Sequence, residues 1–329
     1  MEKDARELIK KSSFPKEEHR GLFPSAAKPP RLYDLPKVHK DGIPLRPIVS
    51  QIDAPTYRLS KYLASSLQPH VGNTPSFVKN SAHFIEILKG VTISKNDIMV
   101  SFDVSSLFTN VPIQDSVDTV KELTSAGFPE DFPEMVEYCL RNSYFLWNED
   151  FYEQREGATM GSPLSTVIAN LYMEKFEKSA IETYSKKPKL WLRYVDDTFV
   201  IWQHGTKELN DFLRHLNNQH RAIQFTMELE KNKQIPFPDV LVKRKEDGSL
   251  GHAVYRKATH TDRYLKSLPH HHPAQKASLV ATLVHRAYEL SDAESLSAEK
   301  KHDSLAEKRV QEVRGPKKDR QGRETPSQP

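Results

Sequence analysis

The sequence predicts an α+β protein, because segments with strand patterns and segments with helix patterns follow one another in mixed order. Residues 191–202, WLRYVDDTFVIW, contain two runs with the period-2 alternation of half-buried strands. Residues 56–68 instead place leucines every four positions, which is typical of an amphipathic helix. With 329 residues, the chain is long enough for one large domain or two smaller ones.

The N-terminal third is expected to contain a loose segment, a pair of extended segments, two helices and a strand. Residues 1–30 are charged and interrupted by prolines, so we expect them to be poorly ordered. Residues 31–53 predict two extended segments joined by a Lys-Asp-Gly turn. The remaining elements are helices over 56–68 and 76–89 and a short apolar strand over 98–102.

The rest of the chain continues this mixture as far as residue 289. The predicted elements are helices over 114–125 and 133–142, a hairpin turning at 148–150, a long helix over 163–184, the 191–202 hairpin, a helix near 207–219, strands near 223–229, 240–244 and 253–257, and a helix over 274–289. Residues 291–329 lose apolar side chains, and we expect a disordered basic tail there.

Composition and the cysteine count limit the class of protein. No apolar run approaches the roughly 20 residues that a membrane helix needs, so no membrane partner is expected. The N-terminus lacks the apolar core of a secretory signal. The single cysteine, Cys139, cannot form an internal disulfide, which indicates an intracellular, reducing environment.

The net charge of +4 arises at the C-terminal end of the chain. Residues 300–329 hold nine Lys and Arg against five Asp and Glu, which leaves 39 residues of each sign elsewhere. Affinity for nucleic acid must therefore come from a local patch. One candidate lies within residues 28–61, where the acidic residues are only Asp34, Asp41 and Asp53. Its basic residues are Lys28, Arg31, Lys37, Lys40, Arg46, Arg58 and Lys61.

Two adjacent carboxylates, Asp196 and Asp197, lie between the two strand runs of residues 191–202. The pattern predicts a β-hairpin with both aspartates at its tip. Neighbouring like charges repel unless something neutralises them. Taken alone, the pair is also compatible with a solvated turn, because aspartate is a common turn residue.

Asp103 offers another carboxylate in a similar place, at the end of the apolar run IMVSF. A lone aspartate there is compatible with a turn or a cap. If the strands beside Asp103 and Asp196 are neighbours, however, the carboxylates converge and can hold a pair of divalent cations. Two such ions about 3.5–4 Å apart stabilise the attacking and the leaving oxygen of a phosphoryl transfer.

Between these carboxylates lies the loop GATMGSPLS, residues 157–165. Its glycines allow the backbone to approach a ligand closely, and its Ser-Pro pair is suited to begin a helix. A Gly-Ser-Pro turn before a helix is common. The loop therefore indicates function only through its position between the two carboxylate sites.

The ordered set FDVSSLF, MGSPLS and YVDD resembles the palm motifs of reverse transcriptases. The surrounding sequence resembles the Penelope-like retroelements, which are related to telomerase reverse transcriptase. The segments that carry this resemblance are LPKVHKDGIPLRPIVS, FYEQREGATMGSPLSTVIANLYMEKFE, LRYVDDTFVIW, FTMELEKNKQIPFPDVLV and VYRKATHTDRYL with HHHPAQK. The resemblance implies a right-hand polymerase fold, with an antiparallel palm sheet packed on helices, and RNA-directed DNA synthesis.

The resemblance also implies roles in catalysis and nucleotide binding. Asp103 and Asp196 would bind two Mg²⁺ ions, which Mn²⁺ can replace, with Asp197 as a further ligand or an electrostatic support. Lys37 and Arg46 would grip the triphosphate of the incoming deoxynucleotide. Arginine offers phosphate oxygens a bidentate fork and lysine a point charge, which suits that role.

Further implied roles concern nucleotide choice and the primer–template. Phe108, five residues after Asp103, matches the bulky residue that screens the sugar 2′ position and favours deoxynucleotides. Met160 and Gly161 match the nucleotide-binding loop, although many relatives outside this family have Gln before the Gly. The residues expected to contact the RNA template or the DNA primer are Lys40, Ser162, Pro163 and Tyr194.

The same resemblance divides the chain into polymerase subdomains. It implies fingers over 31–95, a palm with interleaved fingers elements over 96–257, and a thumb or connector over 258–290. The segment IPFPDV resembles the hairpin that positions the primer end. His270, His271 and His272 are expected to be a connector feature and not a metal site, since consecutive histidines do not project to one face. The retroelement lifestyle implies residence in the nucleus.

Departures from the family pattern leave a second interpretation open. Relatives usually have a longer N-terminal part that contributes to the fingers, and a GIY-YIG endonuclease downstream. Pro238 stands where relatives usually have Leu, and proline removes a backbone donor from an expected strand. The alternative is an inactive, truncated remnant that still binds nucleic acid. An unrelated acid–base hydrolase using Asp103 and Asp196 would not explain the basic segment or the ordered loop.

Overall fold

The computed structural model describes residues 1–38, 42–123, 127–261 and 272–311. The helices are α1 (Glu2–Lys11), α2 (Lys16–Leu22), α3 (Tyr57–Leu67), α4 (Ser81–Lys89), α5 (Leu107–Asn110), α6 (Ile113–Glu122), α7 (Phe132–Arg141), α8 (Pro163–Thr183), α9 (Gly205–Gln219), α10 (Pro273–Leu290) and α11 (Ala293–Gln311). The strands are β1 (Arg31–Pro36), β2 (Leu45–Ser50), β3 (Ile98–Val104), β4 (Tyr144–Trp147), β5 (Asp150–Glu153), β6 (Leu190–Tyr194), β7 (Asp197–Trp202), β8 (Phe225–Leu229), β9 (Gln234–Phe237), β10 (Val240–Arg244) and β11 (Leu250–Val254). Helices mixed with mostly antiparallel sheets confirm the predicted α+β class.

The chain forms two compact units. The first comprises Met1–Lys79 and Asn96–Leu229, and the second comprises Asn80–Lys95 and Glu230–Pro329. The first unit contains an antiparallel sheet with the strand order β6-β7-β3-β8. Strands β3 and β7 are therefore direct neighbours, as convergence of their carboxylates requires.

Helix α8 supports this sheet from the interior. Its N-terminal half is buried on most of its circumference, as expected of a helix in a core, whereas its C-terminal half exposes Lys175, Lys178 and Ser179. Phe176 of α8 stacks on Phe225 of β8, with ring centroids 5.7 Å apart. On the same side of the sheet, Phe102 stacks on Trp191 at 5.7 Å. This packing fixes the strands that carry the aspartates.

A second sheet in the first unit has the order β2-β1-β4-β5. Strands β1 and β2 pair antiparallel from Arg31 opposite Ser50 to Pro36 opposite Leu45, which confirms the predicted pair of extended segments. The loop that joins them includes Lys37 and ends just before β2. The sheet thus places Lys37 and the β2 residue Arg46 near the same end of the strand pair.

The second unit contains a three-stranded sheet with the order β11-β10-β9. Phe237 of β9 packs on Phe84 of α4, with ring centroids 4.6 Å apart. Pro238 lies in the turn between β9 and β10, so the expectation that it removes a donor from within a strand is wrong. Pro236 does lie in a strand, but β9 is an edge strand, where proline is tolerated.

The prediction of poor order over residues 1–30 is wrong for the part that forms α1 and α2. Ile9 and Phe14 are buried in the core of the first unit. Phe14 packs on Tyr62 and Phe132, with ring centroids 5.2 Å and 6.2 Å away. Charged residues dominate this segment, so the few apolar side chains that anchor it gave only a weak pattern.

The prediction of a disordered tail is wrong over α11, while residues 312–329 lie outside the described residues. Asp292 caps this helix, because its Oδ1 accepts a hydrogen bond from Ser295 N at 2.9 Å. Arg256 pairs with Glu299 of α11 at 2.7 Å. The helix is stabilised by a cap and ion pairs, so its low apolar content did not indicate it.

Helix α4 begins at Ser81, later than its predicted start at residue 76. Asn80 sets this boundary, because its side chain accepts a hydrogen bond from His83 N at 2.9 Å. None of the helices in the described ranges combines the length and apolarity required to cross a bilayer.

Candidate active site

A β-hairpin carries the aspartate pair, as predicted, but only Asp196 lies in its turn and Asp197 is the first residue of β7. Strands β6 and β7 pair up to Tyr194 opposite Asp197, so Val195 and Asp196 form a two-residue turn. Val195 has a φ of 57°, a left-handed conformation that is rare for a β-branched residue. Such a residue persists only where its surroundings impose it, at a cost of about 1–3 kcal/mol.

Asp103 lies directly opposite Asp197 in the β3–β7 ladder. Residues opposed in this way project to the same face of a sheet. The backbone of Asp196 is joined to β3 as well, because its carbonyl oxygen accepts a hydrogen bond from Val104 N at 3.1 Å. All three aspartates are half-buried. The structure therefore brings the three predicted carboxylates to one end of the sheet.

The environment of Asp196 perturbs its carboxyl group. Burial raises the pKa of Asp196, and the negative charge of Asp103 raises it further. The positive charges of Arg46 and Lys37 act in the opposite direction. These two basic residues therefore lie within electrostatic reach of Asp196.

The donor set at this site fits hard divalent cations. Carboxylate oxygens are the ligands that Mg²⁺ prefers, and a cation would relieve the repulsion between Asp103 and Asp196. A tighter group exists elsewhere. Across the described ranges, the one set of three side chains with ligand atoms all within 4.8 Å is Glu299, His302 and Asp303.

The Glu299 group is part of the ion-pair contact between Arg256 and α11. The Arg256 guanidinium lies 2.7 Å from Glu299 and 3.6 Å from Asp303, so it already supplies positive charge there. His272 does not suggest a metal site either, because its Nδ1 accepts a hydrogen bond from Ala274 N and caps α10. His270 and His271 lie outside the described residues.

Lys37 and Arg46 are held by the β1–β2 pair. Lys37 N donates to Pro44 O at 2.9 Å, which fixes the backbone at the start of the joining loop. Arg46 lies opposite Leu35 in the β1–β2 ladder. Lys40, predicted to contact the primer–template, lies outside the described residues.

The loop at residues 157–161 contacts two other segments through its backbone. Met160 O accepts a hydrogen bond from Val49 N at 2.8 Å, which ties the loop to β2. Gly161 has a φ of 124°, and a Cβ there would collide with the Val49 carbonyl oxygen. Gly157 has a φ of 74°, and its Cβ would collide with the backbone of Phe108 and Thr109. Both positions therefore require glycine.

Phe108 lies in α5, directly after the turn that follows β3. Its backbone is fixed to the 157–161 loop, because Ala158 N donates to Phe108 O at 2.6 Å. The ring is partly buried against the core of the first unit. Phe108, five residues after Asp103 in the chain, is thus fixed to the loop that contains Met160.

The remaining predicted contact residues lie at the ends of helix α8 and strand β6. Ser162 caps α8, with its Oγ accepting from Leu164 N at 3.3 Å, and Pro163 occupies the first turn of that helix. Tyr194 ends β6 opposite Asp197 and remains 36% exposed. The contacts of these three residues with primer or template stay predictions.

The sequence reasoning missed a buried charge cluster beneath the hairpin. Arg193 is fully buried, and its Nε lies 3.0 Å from Glu177 Oε1. Its Nη1 donates to Asn170 Oδ1 at 2.7 Å. Asn170 and Glu177 lie seven residues apart on α8, so they share one face of that helix. The available signal was the presence of Asn170 and Arg193 within apolar runs, whereas Glu177 lies in a charged stretch that gave no signal.

Residues 38–258 match the family described as reverse transcriptase (RNA-dependent DNA polymerase). A search of curated protein sequences finds no match.

Solved structures of polymerases resemble the chain in fold. Telomerase from Candida albicans, in complex with the TWJ fragment of telomeric RNA, has a TM-score of 0.57 at 11% identity, over 83% of this chain and 52% of that one. The RNA-dependent RNA polymerase of a human picobirnavirus has a TM-score of 0.57 at 10% identity, over 86% of this chain and 58% of that one. Apo telomerase from Candida tropicalis has a TM-score of 0.54 at 9% identity, over 86% of this chain and 58% of that one.

This chain thus spans a little over half the length of each of these structures. At such low identity the likeness concerns the fold alone. The fold is that of a right-hand polymerase, as the sequence resemblance implied.

Proposed function

The chain belongs to the reverse transcriptase family, and we propose that it is an RNA-directed DNA polymerase domain of a Penelope-like retroelement. The substrates are an RNA template, a DNA primer and deoxynucleoside triphosphates. The observation that carries this proposal is the arrangement of Asp103, Asp196 and Asp197 at one sheet end, with Lys37 and Arg46 in electrostatic reach. On the same proposal the protein acts in the nucleus.

The proposed reaction is a nucleotidyl transfer. The primer 3′-hydroxyl oxygen attacks the α-phosphorus and releases its proton to water, a new P–O bond forms, and the bond to the bridging oxygen breaks so that pyrophosphate leaves. Lys37 and Arg46 carry the charge needed to bind the triphosphate. Positioning and electrostatic stabilisation provide most of the catalysis in such reactions. The residues proposed here are suited to both.

Asp103 and Asp196 would hold two Mg²⁺ ions, with Asp197 as a further ligand or support. Bound divalent cations supply positive charge to the attacking and leaving oxygens. The residues fit this role, because oxygen ligands at the site are half-buried and Asp103 raises the pKa of Asp196. The β6–β7 turn holds Asp196, and the β3–β7 ladder holds Asp103 and Asp197.

The 157–161 loop and Phe108 would form the surface under the incoming nucleotide. Backbone contacts join the loop to β2 and to Phe108, which supports a shared role in binding one ligand. Phe108 would screen the sugar 2′ position and exclude ribonucleotides. Tyr194, Lys40, Ser162 and Pro163 are proposed to contact the primer–template.

The proposal is tested by extension of a DNA primer on an RNA template, compared with binding of the same primer–template. Extension in Mg²⁺ or Mn²⁺ that is lost in Asp103→Asn, with binding retained, supports the polymerase. Salt-sensitive binding without extension in either metal would contradict it and would identify an inactive remnant. The turn position of Pro238 removes one of the reasons for that alternative.

A further inference from the structure

Arg193 buries a full positive charge directly beneath the Val195-Asp196 turn. It is 0% exposed, and Glu177, with its side chain 3% exposed, lies 3.0 Å away. A buried ion pair is weak support for stability, since apolar residues of similar volume often serve as well. The buried Arg193 is therefore better explained by the positions it gives to neighbouring groups than by a gain in stability.

The guanidinium reaches the turn itself. Arg193 Nη1 donates to Val195 O at 3.1 Å as well as to Asn170 Oδ1 at 2.7 Å. Val195 O belongs to the peptide that links Val195 to Asp196, so this bond orients the backbone of the catalytic aspartate. The same bond holds Val195 in its unfavourable left-handed conformation, with a φ of 57°.

The opposite side of the turn is bound to β3. Asp196 O accepts from Val104 N at 3.1 Å, one residue beyond Asp103. The peptide before Asp196 is thus held from α8 through Arg193, and the peptide after it is held by β3. These two hydrogen bonds set the position of Asp196 relative to Asp103.

The charge cluster is itself fixed to surrounding segments. Glu177 accepts hydrogen bonds from Trp191 Nε1 at 2.8 Å and from Ser76 Oγ at 3.2 Å. The Arg193 backbone also pairs with an extended segment, because Arg193 N donates to Ser76 O and Val78 N donates to Arg193 O. The guanidinium therefore projects from a strand that is bound on both edges.

We propose that Arg193 is a positioning residue, which holds the Val195-Asp196 turn in the conformation that binds divalent cations at Asp103 and Asp196. The expected effect of Arg193 on kcat rests on the proposed polymerase function. Its effect on the cation site does not, because Mn²⁺ binding can be measured without substrates.

The first test is Arg193→Lys, which keeps a positive charge but lacks the planar group whose Nη1 contacts Asn170 and Val195 while its Nε lies beside Glu177. Mn²⁺ binding is measured by electron paramagnetic resonance without substrates, and kcat and KM for deoxynucleotide by primer extension. We expect weaker Mn²⁺ binding and a kcat reduced on the order of 100-fold, with little change in KM. The melting temperature establishes that the variant is folded.

A second variant covers the case in which Arg193→Lys does not fold. Arg193→Met with Glu177→Gln removes the close ion pair and leaves Glu174, which lies 3.9 Å from Arg193 Nη2 in the wild type. This variant should show the same losses of Mn²⁺ binding and kcat. The matched control is Lys189→Met, which breaks the 2.8 Å ion pair with Asp97 just before β6. That control should lower the melting temperature and leave kcat and Mn²⁺ binding unchanged.

Wild-type Mn²⁺ affinity in a folded Arg193 variant would overturn the inference, whether or not kcat falls. Failure of the proposed function gives a different result. In that case the wild-type protein binds Mn²⁺, Asp196→Asn does not, and neither extends a primer. The effect of Arg193 on Mn²⁺ binding still decides the inference.

Discussion

Asp103 and Asp197 face each other across the β3–β7 ladder, and Asp196 O accepts a hydrogen bond from Val104 N at 3.1 Å. Two strands distant in sequence thereby deliver three carboxylates to one sheet end. Like charges so placed repel. Burial is the main cause of the raised pKa of Asp196, and the negative charge of Asp103 raises it further. A bound cation or proton would relieve this repulsion.

Gly161→Ala tests whether the close contact between the loop and β2 matters. Its Cβ would collide with the Val49 carbonyl oxygen, so the loop must move away from β2. We expect reduced deoxynucleotide incorporation and a loss of about 1–3 kcal/mol in the free energy of unfolding. Gly127→Ala is the matched control, because Gly127 also has a positive φ, 101°, but open space around it. Equal loss of activity in both variants would contradict a specific role for this contact.

Phe108→Ala tests the proposed selection of the sugar. Removal of the ring should let ribonucleotides enter, so the ratio of kcat/KM for deoxy- over ribonucleotides should fall by roughly 10-fold or more. Single-nucleotide incorporation with matched dNTP and rNTP measures this ratio. Phe151→Ala, which alters a 66% exposed ring of the second sheet, is the control. Unchanged selectivity in a folded Phe108→Ala protein would exclude the role.

The pKa of Asp196 should respond to the charge of Asp103. In the metal-free protein this pKa is raised above 3.8, so the folded state holds the proton more tightly than the unfolded chain. The resulting stabilisation is full below the unfolded value and is lost as the pH rises through the folded value. Asp103→Asn should lower the pKa of Asp196, so the stabilisation should be lost at a lower pH than in the wild type. Carbon-13 NMR titration of the carboxyl groups measures the pKa of Asp196, and Asp150→Asn is the control. An unchanged Asp196 pKa in Asp103→Asn would refute the coupling.

Asp292→Ala tests the cap of α11. Although burial opposes the shift, hydrogen bonds from Ser295 and the His252 N–H help lower the pKa of Asp292 to about 2. A lowered carboxyl pKa stabilises the fold above the unfolded value near 3.8, and this stabilisation disappears as the pH falls towards 2. The variant should lose about 1 kcal/mol of unfolding free energy at neutral pH. Denaturation at pH 7 and pH 3 checks this, and an equal loss at both would contradict the ionic part.

The hairpin of Asp196 and Asp197 could be predicted because the alternation of apolar and polar residues in its strands is a local pattern. The order of the three motifs indicated the reverse transcriptase family. The β3–β7 pairing could be stated only as a condition, because strand neighbours depend on distant parts of the chain. The Arg193–Glu177 cluster was missed, since an ion pair across a sheet and a helix has no local pattern. Helices α1 and α11 were missed because the polarity of these segments predicted disorder. A few anchoring side chains and a cap instead stabilise the two helices.

The most direct test is single-nucleotide extension of a DNA primer on an RNA template by the wild-type protein beside Asp196→Asn, in Mg²⁺ and in Mn²⁺. Both proteins must first show the same melting temperature and the same affinity for the primer–template. We predict extension by the wild type in both metals and none by the variant. Undiminished extension by Asp196→Asn would contradict the assignment of this carboxylate to catalysis.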